Sequence, residues 1–259
     1  MYKNILIGTN VFSPDWLITL NKINKKNIII INFAHINKLK NALVNNNIKY
    51  VLPLSEIDYN QIKTIELSDD IEILYPNKEI HELLHNKISF TEFMLENFSN
   101  LIPDVYYLKN VPITDTEYPA IYKPIYSTNG KNMKIIFNIN DLTQINNKNI
   151  IQKFIDNEYE YGANILCMNG IIINWKVIRF KYNKYHIKQT NFPKKYENVE
   201  NFNIQIFSNI IGKLNYSGGM CIDFKFDEPT QNIYIFEINP RFGGSAFSCD
   251  FIYELLCIK

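Results

Sequence analysis

Gly218-Gly219-Met220-Cys221-Ile222-Asp223-Phe224-Lys225-Phe226, then Asp227 to Gln231, then Asn232-Ile233-Tyr234-Ile235-Phe236-Glu237-Ile238-Asn239-Pro240-Arg241, is the stretch on which the reading of this chain turns. Its two apolar runs flank a polar segment, the pattern of two antiparallel strands joined by a turn. A loop centred near Thr230 sets Asp223 opposite Glu237, and the two-residue period of a strand puts Asn239 on the face of Glu237. Phe236 then alternates away from Glu237, as a core phenylalanine or as part of a base-binding floor. Two carboxylates facing each other across strands repel by about 0.2 to 1 kcal/mol unless a cation lies between them. Hard oxygen donors favour Mg²⁺ or Mn²⁺. Magnesium takes few protein oxygens and completes its octahedron with water and substrate phosphate, which suits two carboxylates and one amide. Arg241 follows Pro240, where the strand must end, and sets a permanent positive charge beside such a phosphate. Any one of these residues alone reads as part of a solvated edge hairpin; together, among apolar neighbours, they read as a nucleotide–metal site.

Outward from the hairpin, the preceding segment is strand-rich: Ile150 to Ile155, Tyr159 to Met168 and Ile171 to Phe180, then a helix near Phe202 to Leu214. Farther upstream, Tyr118 to Pro124 reads as a short strand with Lys123 at its end, followed by the turn Ser127-Thr128-Asn129-Gly130 and a strand from Met133 to Phe137. Pro103, Pro112 and Pro119 punctuate an extended connector, and Asn77 to Asn97 carries a helical pattern. At the amino terminus, apolar runs at Ile5 to Ile7, Lys26 to Ile31 and Lys49 to Leu54 alternate with helices, one opening at Ser13-Pro14 and one over Ile36 to Val44. This alternation predicts a small parallel α/β lobe.

Composition narrows the function classes. The 259 residues include 46% apolar and 14% aromatic residues, enough for a folded core divided into two or three lobes. The net charge of +1, with both signs dispersed, gives no basic groove for nucleic acid and no patch for an anionic membrane. No run approaches the ~20 apolar residues of a membrane helix. Cys167, Cys221, Cys249 and Cys257 form no C-x-x-C pair, which fits a reducing cytoplasm. His35, His81, His85 and His186 show no zinc-like spacing and read as ordinary surface or helix histidines. Gly8 stands alone where a dinucleotide turn would need three glycines, and Ile125 and Asn132 break any P-loop around Gly130-Lys131.

With those residues in view, the chain resembles the ATP-grasp superfamily, in the style of carbamoyl-phosphate synthase and D-alanine–D-alanine ligase. Asp223 followed by Glu237-Ile238-Asn239-Pro240-Arg241 is similar to that family's closing metal and phosphate signature, and earlier segments fall in the family's order. Pro119 to Pro124 resembles the strand whose lysine, here Lys123, contacts ATP phosphates; the loop Ser127 to Met133, with Ser127 and Gly130, resembles the flap over them. Asn86-Lys87-Ile88 resembles the helix start that supplies a second lysine, and Ile151-Gln152-Lys153-Phe154-Ile155 the hinge that binds adenine. Glu158 or Glu160 is next in line for the ribose hydroxyls, strand alternation favouring Glu160, and Arg179 resembles the family's basic residue near the phosphate or acyl group, although a surface arginine reads equally well. The flap is poorer in glycine than usual, and Gln152 replaces the usual hinge acid.

The resemblance implies an ATP-grasp fold of class α/β (α+β). Residues 1–85 would form a Rossmann-like lobe, 86–155 a small central lobe with the phosphate loop, and 156–259 a mixed-sheet lobe with the metal site. It implies an ATP- and Mg²⁺-dependent ligase that joins a small carboxylate to an amine, or to a thiol, through an acyl phosphate, and it allows a homodimer. Asp223, Glu237 and Asn239 would be the metal ligands, and Arg241, Arg179 and Lys123 the catalytic cations. A catalytically weak nucleotide-binding regulatory module derived from such a ligase is the alternative.

Overall fold

The computed structural model describes residues 5–8, 28–31, 35–108, 111–112, 116–125, 130–142, 149–183, 185, 187, 195–227, 230–243 and 246. Three sheets organise them. The amino-terminal sheet is parallel, in the order β2 (Ile28–Ile31), β1 (Ile5–Gly8), β3 (Tyr50–Leu52) and β4 (Glu72–Ile73). Helix α1 (Ile36–Asn45) buries Leu39 and Ala42 against it, and α2 (Glu56–Ile62) starts at Ser55, whose hydroxyl accepts from the Asp58 amide at 3.1 Å. The strand–helix alternation therefore produced the expected α/β lobe; the helix expected at Ser13 lies outside the described residues.

The helical pattern from Asn77 to Asn97 forms two helices, the second opening at Asn86-Lys87, where a helix start was expected. α3 (Lys78–His85) ends at Asn86, and α4 (Lys87–Phe98) starts there. Asn86 leaves helical geometry, and its side-chain oxygen accepts from the amides of Ile88 and Ser89 at 2.9 and 3.3 Å. A side-chain cap thus outcompetes helix continuation at this residue. The break puts Lys87 in the first position of a new helix.

The central sheet is antiparallel, in the order β6 (Val111–Pro112), β5 (Val105–Leu108), β9 (Asn149–Lys153), β7 (Ala120–Pro124) and β8 (Lys134–Ile136). The third sheet runs β12 (Lys195–Val199), β11 (Ile171–Lys181), β10 (Tyr159–Met168), β13 (Gly218–Phe226) and β14 (Ile233–Asn239). Expected to be mixed, it is antiparallel at every pairing among the described residues, because each strand returns beside its predecessor or, at β13, beside β10. Its inner face carries the principal core: Ile222, Phe224, Ile235 and Ile238 join Ile210 and Ile211 of α5 (Ser208–Lys213). Phe90 and Met94 of α4 belong to the same core, so the helix that opens at Lys87 is anchored to the carboxyl-terminal sheet. Phe224 is fully buried, with the rings of Tyr161, Phe202 and Phe207 centred 5.2 to 5.4 Å from its own. Among the described residues, no helix is long and apolar enough to cross a membrane.

Candidate active site

The two sides of the β13–β14 hairpin have different chemistry. On β13, Met220, Ile222 and Phe224 enter the core while Cys221, Asp223 and Lys225 line a cleft, as the two-residue period requires. On β14 the period breaks: Asp223 pairs with Glu237 but Phe224 pairs with Ile235, leaving Phe236 as an extra residue. This bulge keeps Ile235 and Ile238 in the core and lets both Phe236 and Glu237 line the cleft. Phe236 was expected to point away from Glu237. The bulge corrects that, giving the cleft an aromatic floor beside its carboxylate.

Asp223 and Glu237 stand directly opposite each other, as the sequence pattern predicted. Asn239 joins them, its Nδ2 donating to Glu237 Oε1 at 3.0 Å and to Asp223 Oδ2 at 3.4 Å. Lys87 reaches across from α4 and places its Nζ 3.3 Å from Glu237 Oε2. The facing carboxylates are thus held by one ammonium and one amide. The three groups fit a divalent cation: they converge within one coordination sphere, and rotating the Asn239 amide about its last side-chain torsion exchanges its nitrogen for a third oxygen. Among the described residues there is no cluster of three or more His, Cys, Asp or Glu, so the oxygen set is two carboxylates and this amide.

These residues form one wall of a cavity of about 450 Å³. Lys123, at the end of β7, enters it from the central sheet, with its Nζ 5.1 Å from the Phe236 ring centre. Burial pushes the Lys123 ammonium down to about 8; Lys87 and Lys225 add repulsion, and Glu237 and Glu160 partly offset it. A buried cation of this kind favours an incoming polyanion. Gly130 and Met133, between β7 and β8, also line the cavity, whereas Ser127 lies outside the described residues.

Where β9 ends, Lys153, Phe154 and Ile155 line the cavity, and the Phe154 amide is fixed by the Pro119 carbonyl at 3.2 Å. Gln152 is buried within β9 and is not part of the lining. The two glutamates separate: Glu160 is buried and lines the cavity, while Glu158 is exposed and paired with Lys181 at 3.3 Å. Arg179 sits outside the lining, its Nε donating to Glu197 of the neighbouring strand at 2.7 Å and its guanidinium over the Tyr159 ring. Arg241 does line the cavity, with Nη1 donating to the Phe242 carbonyl at 3.2 Å.

Three features escaped the sequence reading. Lys225, only 3% exposed, donates to the Ile155 carbonyl at 3.3 Å and lies over the Phe154 ring, tying β13 to the hinge. Its signal was present, since Lys225 is two residues from Asp223 and shares its face. Asn164, fully buried in β10, accepts from the Gly243 amide at 2.8 Å and so holds the turn after Arg241 against the sheet. Finally His81 and His85, read as ordinary helix histidines, line the cavity with Tyr75. Their i, i+4 spacing on α3 brings both to one face.

Residues 84–245 match the ATP-grasp domain family, more than half of the chain. The chain belongs to the ATP-grasp family. Among solved structures, it is similar to an L-amino acid ligase from Bacillus licheniformis at 13% identity and a TM-score of 0.62, over 98% of this chain and 73% of that one. It is similar to N5-carboxyaminoimidazole ribonucleotide synthetase from Thermotoga maritima at 17% identity and a TM-score of 0.58, over 100% and 77% of the two chains. It also resembles D-alanine–D-alanine ligase from Bacillus anthracis, a structure complexed with ATP, at 14% identity and a TM-score of 0.54, over 93% and 86%. At these identities the likeness establishes the fold. No curated protein sequence matches the chain.

Proposed function

We propose that this protein is an ATP-dependent ligase that activates a small carboxylate as an acyl phosphate and joins it to an amine. The observation that carries this reading is the meeting, in one cavity, of two buried lysines from different elements with the Asp223–Glu237–Asn239 cluster. In the reaction, a substrate carboxylate oxygen attacks the terminal phosphorus and ADP leaves; the amine nitrogen then attacks the acyl carbon and phosphate leaves with the oxygen. Phosphoryl transfer of this kind needs charge neutralisation and alignment more than covalent help from the protein.

Lys87 and Lys123 supply the neutralising charge, and a phosphate beside Lys123 would draw its ammonium back to the protonated form. The backbone at Lys153 to Ile155 and the Phe236 ring would frame the base and Glu160 would receive the ribose hydroxyls, a reading supported by all of them lining the one cavity. Asp223, Glu237 and Asn239 would hold Mg²⁺, which when bound would neutralise charge on the phosphate oxygens. Arg241 provides a planar, permanently charged donor at the acyl end. The residues over 130–133 shelter the site from the flap side, since an acyl phosphate hydrolyses in open water.

Magnesium-dependent ADP release from ATP across pools of amino acids and other small carboxylates, with EDTA as control, tests the proposal. Release confined to particular pools supports a ligase and begins to identify its substrates. ATP binding without ADP formation in any pool would overturn it and describe a regulatory module instead.

A further inference from the structure

The chain that follows Arg241 folds back over the site face of the carboxyl-terminal sheet. Strand pairing sets Asn164 of β10, Cys221 of β13 and Asn239 of β14 in one row across that face, with Gly162, Asp223 and Glu237 in the row beside it. The two glycines that open β13 each leave room for a neighbour. Gly218, with φ +118°, takes the amino-terminal lobe, since a Cβ there would come within 2.6 Å of the Leu74 carbonyl oxygen. Gly219 takes the Phe242 ring, which a Cβ would meet at 2.7 Å. One position farther on, the Gly243 backbone lies against Cys221 so closely that a Cβ would come within 2.6 Å of its Sγ. Asn164, Phe242 and Gly243 are all buried as a result.

One peptide group in this turn is held at both ends. Its amide, the Gly243 N–H, donates to Asn164 Oδ1 at 2.8 Å, and its carbonyl, that of Phe242, accepts from Arg241 Nη1 at 3.2 Å. The two bonds share a single rigid plane, in which N–H and C=O point in opposite directions. Fixing the amide end therefore fixes where the carbonyl points, and with it the oxygen that receives the guanidinium. Arg241 lines the cavity, whereas Asn164 lies beneath the turn and outside the lining.

We propose that Asn164 is a positioning residue that sets the direction of the Arg241 guanidinium through the Phe242–Gly243 peptide. The effect on chemistry rests on the ligase reading above, which places Arg241 at the acyl end; the tether itself does not. Without the Asn164 oxygen the plane is free to turn, the carbonyl leaves Nη1, and the guanidinium loses its fixed place. Misplacing such a group by about 1 Å costs about a hundredfold in rate.

Asn164→Leu keeps the side chain's volume and Asn164→Ala makes room; both remove the acceptor, while Asn164→Asp keeps an acceptor oxygen. Magnesium-dependent ADP release by the full-length protein, with the amino acid and small-carboxylate pools of the turnover assay, should fall about tenfold to a hundredfold in kcat in the first two variants. ATP affinity should stay within about twofold, and Asn164→Asp should recover most of the rate. In an Arg241→Ala background, removing the Asn164 acceptor should cost nothing further, because the group it positions is gone. The chain has only two arginines, Arg179 and Arg241, so phenylglyoxal labelling resolved by peptide mass spectrometry reads the tether without turnover. Loss of the Asn164 acceptor should speed labelling of Arg241 about fivefold, the scale of one weakened hydrogen bond, and leave Arg179 unchanged. Unchanged Arg241 labelling, full kcat without the acceptor, or an equal loss in the Arg241→Ala background would each overturn the proposal. Faster Arg241 labelling in a protein that releases no ADP with any pool would uphold the tether and sink the ligase.

Discussion

The two long walls of the cleft were assembled in opposite ways. The β13–β14 wall is local: Asp223, Glu237 and Asn239 lie within one hairpin, and their meeting follows from strand pairing alone. The opposite wall is composite, with Lys87 from a helix start, Lys123 from the central sheet and Tyr75, His81 and His85 from the amino-terminal side. A hairpin needs only a turn and a period to align its side chains. A composite wall needs packing between lobes, here supplied by the burial of Phe90 and Met94 in the carboxyl-terminal core and by the bare backbone at Gly218. Local geometry should therefore survive damage that disperses the composite wall.

The largest test of the comparison lies on the local wall. Glu237→Ala removes the carboxylate that faces Asp223 and receives Lys87, and turnover should fall by about a hundredfold to a thousandfold, the scale of losing one fixed group at a charge-stabilising site. Far-ultraviolet circular dichroism should stay unchanged. Loss of turnover below tenfold would mean the hairpin is not the centre of the chemistry.

Next comes the support beneath it. Phe224→Ala opens a cavity among Tyr161, Phe202 and Phe207 and should cost about 3 to 5 kcal/mol in denaturant unfolding. A cost near 1 kcal/mol would show that the sheet collapses around the gap and that the wall does not depend on its aromatic backing.

Lys123 tests the composite wall through pH. Its folded pKa of about 8 lies below the usual lysine value, so the free protein loses this charge as pH rises through 8. A nucleotide phosphate requires the protonated form, and ATP affinity should therefore fall by about tenfold between pH 7 and 9, with proton uptake on binding near pH 8. Lys123→Met should flatten that slope. A wild-type affinity unchanged over the same interval would remove Lys123 from the phosphate subsite.

The smallest effect is expected at Arg179. Paired to Glu197 and outside the cavity lining, it should tolerate replacement by Ala with kcat/KM changed by less than about threefold. A loss of a hundredfold would mean that β11 swings toward the cleft during turnover.

Some of the site was legible because its chemistry repeats at short range. The Asp223–Glu237 pairing, the position of Asn239 and the strand-end placement of Lys123 all follow from alternation and turn chemistry. Alternation also favoured Glu160 over Glu158, and of the two it is Glu160 that lines the cavity, while Glu158 pairs with Lys181. Lys225 could have been read from the same two-residue period, yet a lysine at a core-flanking position looks like any solvated one until the hinge carbonyl beside it is known. The Phe236 bulge was hidden because one extra residue leaves no mark in composition, although it reverses which face a side chain takes.

What the sequence determined by itself was the long strands of the two later sheets, the Asp223–Glu237 pairing and the oxygen cluster with Asn239, all consequences of patterns spanning fewer than about twenty residues, whereas α2, β5 and β12 went unread. Tertiary structure decided which distant pieces share the cavity: that Lys87 reaches Glu237, that Lys225 bonds the Ile155 carbonyl, that Arg179 is spent on Glu197, and that two histidines read as ordinary stand in its wall. The reason is physical. Periodicity specifies which side of an element is apolar, but what that side meets depends on burying all such sides at once, and that condition belongs to the whole chain.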